Sequence, residues 1–83
     1  MIWTLTDTSA PASGVQSSGD NIAIISGTFV ANAQIQVLDS NGNWQRVEDF
    51  AAPSVRKLST GIPVFLRPIL TSYTSGTVVV EIR

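Results

Sequence analysis

Histidine and cysteine are both missing from the 83 residues, and charge is scarce: Asp, Glu, Lys and Arg make up 13%, against roughly 25% in an ordinary soluble domain. Without histidine the commonest general base at neutral pH is gone, and without cysteine there are no thiolate metal ligands and no disulfide staples. Lys57 is the only lysine, so the abundant serines and threonines have no base to activate them as nucleophiles. These gaps exclude the common catalytic constellations; the expected protein is not an enzyme and carries no cofactor and no metal. Basic charge and long apolar runs are short as well. The basic residues are Arg46, Arg56, Lys57, Arg67 and Arg83, against a net charge of −1, which lacks the basic stripe of a nucleic-acid binder. No run approaches the roughly 18 apolar residues of a membrane-spanning helix. Met1-Ile2-Trp3 leads straight into Thr4, without the basic and apolar regions of a signal peptide. Neither nucleic acid nor membrane is therefore expected as a partner; a soluble protein made inside a cell is expected, and the lack of cysteine agrees with a reducing compartment.

What the chain does have is apolar: 43% of its residues are hydrophobic. A free monomer this small needs a charged, patch-free surface to stay dispersed. A chain of this length also buries only about 60–65% of its unfolded surface and keeps a thin stability margin. A partner that binds only the folded form adds stability by mass action. The length allows a single domain, residues 1–83, and the composition predicts that neighbours cover much of it.

β-branched residues and recurrent turn signals point to an all-β chain without helices. Strands are expected over 1–6, 22–26, 33–39, 44–49, 55–60, 62–70 and 77–83, about seven in all, enough for a small antiparallel sandwich or barrel. Residues 7–20 are almost entirely Ser, Thr, Ala, Gly and Pro, too poor in apolar area to offset their ordering entropy, and read as a loop or as an arm laid on a neighbour. In the last strand Val78, Val80 and Ile82 alternate with Val79, Glu81 and Arg83, separating a core face from an outer face by the period of two. Ala33, Ile35 and Val37 alternate with Gln34 and Gln36 in the same way.

The hairpin after Val37 can be registered from its residues. A two-residue turn at Asn41-Gly42 would pair Ile35 with Glu48 and Val37 with Arg46, mixing apolar and charged side chains on one face. A three-residue loop, Ser40-Asn41-Gly42 with Gly42 left-handed, pairs Val37 with Gln45 and Ile35 with Val47 instead. It also sets Leu38 opposite Trp44 and Gln36 opposite Arg46 on the other face, which moves Trp44 away from the Ile35/Val47 core. Pro63 and Pro68 bracket Val64, Phe65 and Leu66; because proline donates nothing to a ladder, this strand is expected to carry a bulge or run along a sheet edge. An apolar edge needs a cover. Arg67, among apolar residues, must reach water or a partner.

Asp39, Asn41 and Asn43 have the spacing of a calcium loop but lack its glycine at the sixth position and its glutamate at the twelfth, so they read as turn chemistry. Glu48 and Asp49 are adjacent and, on a strand, point to opposite faces, forming no carboxylate pair. Trp3, Trp44 and Tyr73 would suit a sugar-stacking platform if the fold brought them together, with core packing or subunit contact as the alternative for each.

Ser26-Gly27-Thr28-Phe29, then Ala33-Gln34-Ile35-Gln36-Val37, then Asn41-Gly42-Asn43-Trp44 and Val47 form a pattern that resembles small virion accessory proteins of tailed bacteriophages. Gly61 to Leu70, with Arg67, and Gly76 to Ile82 fit the remainder, so the resemblance covers roughly residues 20–83. It implies a β-sandwich component of the capsid, head fibre or tail, without catalytic residues to carry over. Together these readings predict an oligomeric capsid decoration protein, a trimer first, located in the virion after assembly in the host cytoplasm. Its partners would be itself and other virion proteins such as the major capsid protein. The candidate interface residues are Trp3, Trp44, Val64, Phe65, Leu66 and Arg67. A head-to-tail or fibre-base component is the alternative within the class, and a carbohydrate-binding module the alternative outside it.

Overall fold

The computed structural model describes residues 1–9 and 14–83. Eight strands follow one another: β1 (Ile2–Leu5), β2 (Val15–Gln16), β3 (Asp20–Ser26), β4 (Phe29–Leu38), β5 (Trp44–Phe50), β6 (Ser54–Ser59), β7 (Phe65–Gly76) and β8 (Val78–Ile82). They form two four-stranded sheets, sheet I in the order β1-β8-β3-β6 and sheet II in the order β2-β7-β4-β5. Every pairing is antiparallel. This is the strand order of a jelly roll, a β-sandwich in which a long antiparallel ribbon is wrapped so that its halves fall in opposite sheets.

The ribbon is explicit in the pairing. β3 lies beside β8 in sheet I, where Ser26 faces Val79, and β4 lies beside β7 in sheet II, where Phe29 faces Gly76. Between these pairs both chains cross from one sheet to the other, at Gly27 (φ 103°) and Gly76 (φ 92°). Only glycine takes such backbone angles without strain. A Cβ on Gly27 would also overlap the Thr77 carbonyl oxygen, and one on Gly76 the Thr28 carbonyl oxygen. The Thr77 amide donates to that same Thr28 carbonyl at 2.9 Å, tying the two crossings together.

The core lies between the sheets and follows the period-two pattern. Ala23, Ile25, Val78, Val80 and Ile82 point inward from the centre of sheet I, and Ala33, Ile35, Leu66 and Leu70 from sheet II, with none more than 2% exposed. Trp3, Leu5, Phe50 and Leu58 close the margins. At 4644 Å² the accessible surface is near the roughly 4,800 Å² of a compact free monomer of this mass. The fold therefore completes its core without a neighbour, and any case for partners has to rest on its surface.

Several expectations change in detail. The arm does not need a neighbour to lie on: residues 14–18 turn back onto their own chain, where Val15 faces Leu66, and the Ser17 amide donates to the Val64 carbonyl at 2.7 Å. The backbone edge at Phe65 and Leu66 is thus paired from within by β2, while the Phe65 side chain stays exposed. Residues 10–13 of the expected arm lie outside the described residues. The strand expected over 62–70 starts later, at Phe65, and runs on to Gly76. Pro68 is buried and sits in β7 beyond the two positions that β2 pairs, which is how a residue without an N–H fits inside this sheet.

The hairpin takes the three-residue loop, with Gly42 at φ 84°, and pairs Leu38 with Trp44, Val37 with Gln45 and Gln36 with Arg46. A bulge between Gln36 and Ile35 then shifts the register, so that Ile35 faces Glu48. The expected Ile35–Val47 core pair does not form, and Val47 is left 38% exposed. The shift brings Phe50 opposite Ala33 and into the core. Burial of the larger aromatic at the end of the strand fits the bulge.

Candidate interaction face on sheet II

The outward positions of sheet II gather most of the chain's unusual side chains. β4 contributes Gln34, Gln36 and Leu38; β5 contributes Trp44, Arg46 and Asp49; β7 contributes Phe65, Arg67 and Ile69. The Arg67 guanidinium carbon lies 4.3 Å from the centroid of the Trp44 ring, a cation–π stack worth about 0.5–1 kcal/mol at a partly exposed site. The Arg67 Nε–H donates to Gln36 Oε1 at 2.9 Å, the Gln36 amide donates to Gln34 at 2.8 Å, and the Gln34 amide donates to Asp49 at 3.0 Å. Arg46 closes the row by donating to the other Asp49 oxygen at 3.0 Å. The five side chains make one continuous polar ladder across three strands, each member orienting the next.

Arg67 and Trp44 are both half-buried. Among the described residues the ion pairs are Arg46–Asp49, Arg56–Glu48 and Arg83–Glu81, and Arg67 has no carboxylate. Among the described residues its charge is met by an amide oxygen and an aromatic face. The Trp44 ring reaches Gly14 on the arm: a Cβ built there would stand 3.1 Å from the ring and 2.7 Å from the Leu66 carbonyl oxygen. Arm, indole and guanidinium are therefore held against one another.

Of the six interface candidates, Trp44, Phe65 and Arg67 share this face, and Phe65 is 47% exposed. Val64 is half-buried against the core. Trp3 and Leu66 are corrections: at 7% and 0% exposure they belong to the core, since each occupies an inward position of its strand. The ladder residues Gln34, Gln36, Arg46 and Asp49 are not among the candidates. Gln36 opposite Arg46 follows from the hairpin register, but the link to Arg67 needs β7 beside β4, which no local pattern states.

The other constellations resolve as structure. Trp3, Trp44 and Tyr73 do not converge, because Trp3 is interior, Trp44 faces outward, and Tyr73 faces inward and donates its hydroxyl to the Gly76 carbonyl at 2.7 Å. Glu48 and Asp49 do point to opposite faces: Glu48 faces Ile35 and lies 3.9 Å from Arg56 of sheet I, while Asp49 joins the ladder. Asp39 acts as turn chemistry, one carboxylate oxygen accepting from the Asn41 and Asn43 amides and the other from the Gln45 side chain, each at 2.9 Å. The Gln45 hydrogen bond first, then the Asn43 amide, hold its pKa below the ordinary 3.8. A depressed folded-state pKa stabilises the fold above the unfolded value and loses that contribution as pH falls through the folded value. Asp39→Asn should therefore unfold more readily than the parent at pH 7, and the two urea midpoints should converge once the pH has fallen through the folded-state value, below the ordinary 3.8.

No protein-family model matches the chain, and no curated protein does. Among solved structures it is similar to the mitogen derived from Yersinia pseudotuberculosis, with a TM-score of 0.58 over 99% of this chain and 82% of that one, at 10% identity. Likeness at that identity carries the fold alone, and on that ground the chain is a small antiparallel β-sandwich.

Proposed function

We propose that the chain is a non-enzymatic structural component of a bacteriophage particle, a decoration protein that assembles as an oligomer and adheres to the outer capsid shell. The observation that supports this most is the sheet II face, where Trp44, Phe65 and Arg67 bring together the residue types enriched in binding hot spots, already fixed in place by the ladder. The jelly-roll strand order adds an analogy of fold, since viral capsid domains share it. Adhesion is the whole mechanism. Apolar contact around Trp44 and Phe65, with a carboxylate or carbonyl of the shell received by the Arg67 Nη groups, would hold neighbouring capsomers together and raise the barrier to rupture. A head-to-tail or fibre-base component would use the same face on a different surface.

Mass spectrometry of particles purified from cells that make the protein tests this. The chain is expected at a fixed copy number relative to the major capsid protein. Particles free of it, with all of the protein in the cell supernatant, would remove the proposal.

A further inference from the structure

The outer face of sheet I departs from the usual pattern of a sandwich, in which outward positions are polar. Ile2, Ile22, Ile24, Val55 and Val79 all point outward there. Ile2, Ile22 and Val55 are 61%, 37% and 56% exposed. Register sets Ile2, Glu81, Ile24 and Val55 in one row across all four strands, so three of the four outward positions in that row are aliphatic and one is a carboxylate. Contiguous apolar surface of this kind marks an interaction site.

We propose that this face packs against the same face of a second copy about a two-fold axis, giving a dimer in place of the trimer expected from the sequence. Its charges identify the occupant. The face carries Asp20 and Glu81 against Lys57 and Arg83, two of each sign, so a second copy can answer each carboxylate with a cation. A strongly acidic or basic partner would leave one sign unmatched. Stacking sheet I on sheet II of the next copy would instead join opposite sides of the sandwich and generate an open column, whereas a two-fold pair closes. Four strands give a face roughly 19 Å wide and roughly 16 Å long. That is about 300 Å² a side, below the roughly 800 Å² a side of a standard interface, so the dimer is expected to be weak and reversible, with a dissociation constant on the order of 100 µM.

Sedimentation equilibrium over about 1 to 500 µM brackets that constant. The expected result is a monomer of 8.8 kDa passing to a dimer of twice that mass. Val55→Lys and Ile2→Glu, each at an exposed position, should weaken the dimer tenfold or more, while Phe65→Ser on the opposite face leaves it unchanged. A wild-type monomer throughout, a trimer, or a dimer indifferent to Val55→Lys and Ile2→Glu would overturn the proposal. If a variant loses its β-sheet circular dichroism, methyl NMR of the wild type during dilution reads the same surface. The Ile22, Ile24 and Val79 methyls should shift and those of Ile35 stay fixed, and shifts confined to sheet II would overturn it. The inference stands apart from the particle: a chain that dimerises but binds no particle keeps it and removes the function proposed above.

Discussion

Gly76→Ala should lower stability by about 3 kcal/mol. Left-handed backbone costs an alanine roughly 1–2 kcal/mol, and forcing a methyl into a filled site adds about 1–3 kcal/mol. Gly76 meets both conditions, with φ 92° and the Thr28 carbonyl where a Cβ would stand. The melting temperature of a domain this size falls by about 4–8 °C per kcal/mol, so a drop of about 12–24 °C is expected, and Gly27→Ala should match it. Gly42→Ala supplies the control, because Gly42 has φ 84° but nothing within 4 Å of an added Cβ. It should lose only the backbone part, about 1–2 kcal/mol. Equal losses at Gly42 and Gly76 would mean that the close crossing of the two chains does not hold the sheets together.

Trp44→Ala should cost far more in binding than in folding. The ring is half-buried on an outer face, so its removal takes away the stack on Arg67 and the contact with the arm, about 1 kcal/mol of stability. In binding, a central aromatic anchor is worth about 2–4 kcal/mol, or roughly 30- to 1,000-fold in affinity for the particle. Arg67→Ala should behave alike. Arg67→Lys should fall between, because an ammonium keeps the charge but loses the planar stack and the directed hydrogen bond to Gln36. Binding and stability that fall in equal measure would assign Trp44 a structural role only.

Much of this architecture is legible in the residues, and the exceptions have physical causes. Strict alternation in 78–82 separates core from surface, and the three-residue Ser40-Asn41-Gly42 loop with its register down to Gln36 follows from keeping apolar and charged residues off the same face. β2 escapes because Val15-Gln16 has no pattern of its own; its strand is made by β7 alongside. The Thr71–Gly76 extension escapes for a related reason, since polar residues there pair with β4 beyond the core. The bulge at Ile35/Gln36 is decided by where Phe50 can be buried, a tertiary matter. Arg67 stands out from its apolar neighbours in the chain, but its partners Gln36 and Trp44 come from other strands. On sheet I the clue is present and easily misread. Ile22-Ala23-Ile24-Ile25 is apolar at both parities, which marks a strand covered on two sides, whereas alternation marks one covered on a single side.

The most direct test of the adhesive role is mechanical stability of the particle. Particles stripped of the protein should release their genome at a lower temperature than intact ones. Added wild-type protein should restore the higher temperature, and Arg67→Ala at the same concentration should not. A release temperature that is the same with and without the protein would contradict the account.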